Sequence, residues 1–80
     1  LHNAVCREHI IMKVGNGPAS RQPVIEIANL FRAKVVNVAE SRLMLELTGE
    51  PEKIDSFIGL LQPYGVKEIV RTGISALERD

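Results

Sequence analysis

Hydrophobic positions recur along this chain with two periods, and the switches between those periods mark out its elements. From Glu8 the run His9-Ile10-Ile11-Met12-Lys13-Val14 is β-branched and apolar. As a strand it places Ile10, Met12 and Val14 on one face and His9, Ile11 and Lys13 on the other. Gly15-Asn16-Gly17-Pro18-Ala19-Ser20 is a cluster of turn formers, with Ser20 the expected N-cap of a helix. Val24, Ile27, Ala28 and Phe31 then repeat at helical spacing, widened by Ile25 and Leu30, which predicts that helix over 22–32. Ala33 to Ala39 alternates loosely, Val36 and Val38 against Val35 and Asn37. After the polar link Glu40-Ser41-Arg42 comes the cleanest alternation in the chain: Leu43, Leu45 and Leu47 inward, Met44, Glu46 and Thr48 outward. These two segments read as a hairpin.

Residues 48–73 carry the clearest start and stop signals. Pro51 suits a first helical position, because its missing N–H has no helical partner to lose, and Glu52 adds negative charge to the first turn. Ile54, Phe57, Ile58 and Leu61 form one apolar stripe. Pro63 disfavours helical geometry at Gln62, Gly65 suits a left-handed exit, and Val66 to Thr72 resumes as a strand.

The order is therefore β-α-β-β-α-β, an α+β ferredoxin-like sandwich with two helices on one face of a four-stranded antiparallel sheet. The helix-facing layer is expected to hold Ile10, Met12, Val36, Val38, Leu43, Leu45, Leu47 and Ile69. The other face would show Ile11, Val35, Met44 and Val70 among Lys13, Asn37, Glu46 and Glu68. Two readings of that face stay open: an ordinary half-wet sheet surface, or a surface for self-association or a partner. Leu1 to Arg7 shows no period and reads as a linker remnant, leaving residues 8–80 as the domain, with 74–80 a frayed or docked tail.

Composition narrows the function classes. A chain of 80 residues buries only about 60% of its unfolded surface, so its stability is expected to be small or shared with a partner. Ten basic residues balance ten acidic ones, which argues against a nucleic-acid binder, and no apolar run is long enough to span a membrane. The single Cys6 excludes an internal disulfide and is compatible with a reducing cytoplasm. Gly15 to Ser20 departs from a dinucleotide fingerprint at its last position and lacks the parallel sheet around it, so it reads as a plain turn. His2, Cys6 and His9 are metal-ligand types, but their spacing would need one helix where a strand is predicted. RNA recognition on this topology needs outward aromatics on the central strands, whereas Phe31, Phe57 and Tyr64 lie in or beside helices. No catalytic constellation emerges.

Leu30-Phe31-Arg32-Ala33-Lys34 and the closing Glu68-Ile69-Val70-Arg71-Thr72-Gly73-Ile74-Ser75-Ala76-Leu77, with Thr48-Gly49, Lys53-Ile54, Phe57, Leu61, Pro63 and Gly65 between them, resemble the C-terminal domain of the small, regulatory subunit of acetolactate synthase (acetohydroxyacid synthase). Glu50, Gln62, Tyr64 and Asp80 depart from the usual family residues only conservatively or terminally. The resemblance implies an ACT-like domain that is not itself an enzyme. Its expected partners are the catalytic subunit, an N-terminal ACT domain of the same subunit and a second copy, in control of branched-chain amino acid synthesis with valine as chief effector. Thiamine diphosphate, magnesium and FAD are expected only in the catalytic subunit, in the cytoplasm or, in a plant, the plastid. Candidate interface residues are then Ile11, Val35, Met44 and Val70, and candidate partner contacts Arg71, Thr72 and Gly73. A stand-alone small-molecule- or metal-responsive module on the same fold is the alternative.

Overall fold

The computed structural model describes residues 3–79. Its elements run β1 (Ala4–Gly15), α1 (Arg21–Phe31), β2 (Lys34–Val38), β3 (Arg42–Gly49), α2 (Pro51–Leu61), a 3-10 turn at Gln62–Tyr64 and β4 (Val66–Glu78). The strands form one four-stranded sheet in the order β2-β3-β1-β4, with every neighbouring pair antiparallel. This is the ferredoxin-like arrangement the periodicity predicts.

Both helices begin and end where local chemistry directs. Pro51 occupies the first turn of α2, and the chain leaves the 3-10 turn through Gly65 at φ +84°. The exit of α1 uses Arg32 at φ 59°, and Ala33 N–H returns to the Ala28 carbonyl at 2.8 Å. Ser20 precedes α1 but does not cap it with its side chain; its Oγ accepts from Gly17 N–H at 3.1 Å and tightens the turn instead.

The core lies between the helices and the two central strands. Ile10, Met12 and Val14 of β1, Leu43, Leu45 and Leu47 of β3, Val24 and Ala28 of α1, and Ile54, Phe57 and Leu61 of α2 are buried. Three residues expected in this layer are not. Val36, Val38 and Ile69 are exposed because β2 and β4 are the sheet edges, beyond the cover of the helices. Alternation assigns a face; it does not separate central strands from edges.

At the termini, one expectation is corrected and one open alternative is decided. Ala4 to Arg7 are not a linker, and the residues after Gly73 through Glu78 are docked rather than frayed: Ala4, Val5, Cys6 and Arg7 pair with Glu78, Leu77, Ala76 and Ser75. The linker expectation for Leu1 and His2 lies outside the described residues. β1 and β4 thus continue past the helices as a two-stranded ribbon, consistent with extents of 48 × 18 × 17 Å. The ribbon is mostly exposed, so selection for burial imposes no hydrophobic period there, and pattern reading finds none.

Asn16, 3% exposed, ties the β1–α1 turn to the β2–β3 hairpin. Its Nδ2 donates to the Ala39 carbonyl at 2.8 Å, its N–H to the Ser41 carbonyl at 2.9 Å, and its Oδ1 accepts from Arg21 Nε at 2.8 Å. The turn that superficially resembles a phosphate loop is therefore a structural staple. Asn16→Ala leaves a carbonyl and a guanidinium N–H short of partners and is expected to cost about 1–3 kcal/mol in urea unfolding.

Candidate interaction surfaces

The sheet face away from the helices gathers three of the four candidate interface residues. Ile11 lies opposite Val70 on β4 and beside Glu46 on β3, and Met44 lies opposite Lys13, so all belong to that face. Val35 does not. A bulge between Val35 and Asn37 breaks the alternation of β2, setting Val35 opposite the buried Leu45 on the helix side and Asn37 opposite Met44 on the open face. An ion pair from Lys13 Nζ to Glu68 at 3.3 Å and a hydrogen bond between His9 Nε2 and Glu46 Oε2 at 2.8 Å flank the remaining apolar positions. A shallow depression of about 240 Å³ beside Met44, bordered by Asn37 and Arg42, is smaller than an ordinary small-molecule site.

Arg71, Thr72 and Gly73 sit where the compact body meets the ribbon, and each is engaged within the chain. Arg71 faces the helix side, not outward. Ile69 opposes Met12 and Arg71 opposes Ile10, so the period-two step from Ile69 carries Arg71 inward. Its Nε donates to Glu8 Oε2 at 2.8 Å and its Nη2 to Glu8 Oε1 at 2.6 Å, a bidentate pair, while Nη2 also reaches Asp55 Oδ1 on α2 at 3.1 Å. Glu8 is 4% exposed, a carboxylate at the end of the apolar row formed by Ile10, Met12 and Val14. Hydrogen bonding from Arg71 holds its carboxyl below the usual carboxylate range, burial opposes that, and the Arg71 charge and the Gly73 N–H reinforce it. The Arg71 guanidinium is in turn raised, first by Glu8 and then by Asp55.

Thr72 Oγ accepts from His9 N–H at 3.2 Å and lies 3.2 Å from the His9 carbonyl, bridging the strands where the ladder is interrupted. Two residues of β4, Thr72 and Gly73, face His9 alone on β1, and Gly73 sits at φ +85°. Glycine is the residue that takes this bulge conformation without strain. Glu8 is the residue that pattern reading misses. The signal is present: the even-numbered row of β1 runs back from Val14 to Glu8, so an acidic residue on an apolar face demands a cation.

Cys6 and His9 stand on opposite faces of β1, since Cys6 pairs with Ala76 and belongs with Glu8, whereas His9 belongs with Ile11. Among the described residues no His, Cys, Asp and Glu cluster has the geometry of a metal site, and no helix is long and apolar enough to cross a membrane.

A family model described as "Small subunit of acetolactate synthase" matches residues 7–80. The acetolactate synthase small subunit of Mycolicibacterium smegmatis is 43% identical over 77 residues, covering 96% of this chain and 45% of that protein. A crystal structure of the acetolactate synthase small subunit from Thermotoga maritima superposes with a TM-score of 0.90 at 36% identity, covering 98% of this chain and 48% of that one. The chain thus spans about half the length of these relatives. The ACT domain of a GTP pyrophosphokinase from Chlorobium tepidum, 11% identical with a TM-score of 0.55 over 89% of both chains, shares the fold alone.

Proposed function

From the premise that the chain belongs to the acetolactate synthase small-subunit family and corresponds to its C-terminal domain, we propose that it is a non-catalytic regulatory module that couples the small subunit to the catalytic subunit. The observation that carries this reading is the match over nearly the whole chain to the Thermotoga small subunit, at the level of backbone as well as sequence. In this reading the domain does no chemistry. It supplies surface that holds the complex together, so that the catalytic subunit is more active and responds to branched-chain amino acids. Thiamine diphosphate, magnesium and FAD belong to the catalytic subunit, and the complex works in the cytoplasm. The domain acts within a self-associated small subunit, beside an N-terminal ACT domain.

The test is reconstitution. Purified catalytic subunit is titrated with the small subunit at its natural length and with a version lacking residues 4–79, and acetolactate formation is followed with and without valine. The expected result is a severalfold activation, sensitive to valine, that the shortened version does not give. Equal activation by the shortened version, with the same valine response, would sink the reading.

A further inference from the structure

At the β2–β3 hairpin the open sheet face ends in the depression of about 240 Å³ beside Met44, and among the described residues its border carries two cations and no acid. Met44 forms its floor. Lys13 on β1 and Asn37 on β2 stand directly opposite Met44, and Arg42, two positions back along β3 and so on the same face, closes the end with Ser41 and Ala39. The bulge in β2 decides what stands there. In an unbroken ladder Val36 would follow Val35 and sit opposite Met44, and the extra residue puts the Asn37 amide in its place.

The rim is held from behind. Asn16, almost fully buried, donates to the Ala39 carbonyl at 2.8 Å and to the Ser41 carbonyl at 2.9 Å, which fixes the hairpin from which Arg42 extends. The two cations differ in their company. Lys13 Nζ is shared with Glu68 at 3.3 Å, whereas among the described residues Arg42 joins no ion pair.

We propose that this depression is a binding site for a short-chain monocarboxylate, its carboxylate held by Arg42 and Lys13 and its hydrocarbon part laid on Met44. Charge selects a monoanion, because Glu68 offsets Lys13 and leaves the Arg42 guanidinium as the uncompensated charge. Its paired N–H groups match the two oxygens of a carboxylate. The polarizable thioether of Met44 and the methyl group of Ala39 give a short hydrocarbon tail an apolar seat, which inorganic phosphate or sulfate could not use. Size agrees as well. A volume below the ordinary range for drug-sized ligands suits a molecule of a few heavy atoms. This goes beyond the coupling role and does not depend on it, since the small subunit alone would bind.

The experiment uses the subunit at its natural length with carbon-13-labelled methionine methyl groups, titrated with sodium butyrate at constant ionic strength and followed by NMR. Loss of one signal in Met44→Leu identifies the Met44 methyl. The expected result is a saturable shift of that signal with a Kd of about 1–10 mM, as befits so small a ligand on an open surface. Met12, buried in the core, should not move. Arg42→Gln should weaken binding roughly fivefold to tenfold and Arg42→Lys less, because an ammonium keeps the charge without the fork. Glu68→Gln should tighten it roughly twofold to threefold by releasing Lys13. Variants that move binding in opposite directions separate a site from a general loss of structure. Uncharged butyramide should leave the signal in place. A shift that never saturates, an equal response to inorganic phosphate, or a response unchanged in Arg42→Gln would mean ionic contact without a site and would overturn the proposal. None of those results bears on the reconstitution with the catalytic subunit, so the two readings fail separately.

Discussion

Phe57→Ala is expected to leave this domain largely unfolded at ordinary temperature. The ring is fully buried on α2 and forms a tilted pair with Phe31 of α1 at a centroid distance of 5.2 Å, so it joins the two helices as well as closing them over the sheet. Truncating a buried phenylalanine costs about 3–5 kcal/mol, and small domains sit near the low end of the usual range of about 5–15 kcal/mol. The midpoint of thermal unfolding should therefore fall by at least about 12 °C. Phe57→Leu, which keeps most of the volume, should cost clearly less. A midpoint within a few degrees of the parent for Phe57→Ala would mean that the helices do not share one core. Any subunit carrying the substitution should also lose the proposed coupling function, through loss of the fold and without touching a partner surface.

That core is legible in the sequence because its residues obey strong local rules. The stripe Ile54, Phe57 and Leu61, closed by Pro51 before it and Gly65 after it, specifies a helix, its buried face and its ends without tertiary information. The alternation of Leu43, Leu45 and Leu47 does the same for β3. The features that escape depend on neighbours. The bulges that turn Val35 to the helix side and shift the phase of β4 at Gly73 are single extra residues in one strand relative to another, visible only once the strands are paired. The ribbon of Ala4–Arg7 and Ser75–Glu78 gains its stability from mutual pairing and not from a buried face, so it leaves no period to read. Three of the four candidate interface residues do converge on the open face. The contact candidates Arg71, Thr72 and Gly73 are instead occupied with joining the ribbon to the body.

Arg71→Ala should have the second large effect, and its dependence on pH distinguishes it from a simple loss of packing. The guanidinium is the counterion of Glu8, which is almost fully removed from solvent, and it also reaches Asp55 on α2. Removing one partner of a buried pair leaves the other charge desolvated and uncompensated, a larger penalty than the pair contributes when whole. Arg71→Lys should lie between parent and alanine variant, since one ammonium cannot reproduce the two parallel bonds to the carboxylate. Asp55→Ala should change little, because that carboxylate is 68% exposed and the pair is screened by water. In the parent, Glu8 has a folded-state pKa below its unfolded value. Its contribution is therefore complete above the unfolded carboxylate range near about 4.3, and it is lost as the pH falls through the lower folded value. Without Arg71 the effect of burial is left to dominate, the folded-state pKa rises above the unfolded one, and the sign inverts: the variant should gain stability relative to its own neutral-pH value as Glu8 takes up a proton. Thermal midpoints from about pH 3 to 7 for the parent, Arg71→Ala and the double variant with Glu8→Gln decide this. The double variant should recover part of the loss and flatten the acid limb. If Arg71→Ala and the parent show parallel pH profiles, Glu8 is not the group that Arg71 holds. Amide exchange at Cys6 and Ala76 provides a local readout. Faster exchange there in Arg71→Ala, with the core amides of Met12 and Leu45 less affected, would show that the ion cluster at the bulge keeps the ribbon, and with it the exposed edge of β4, fixed against α2.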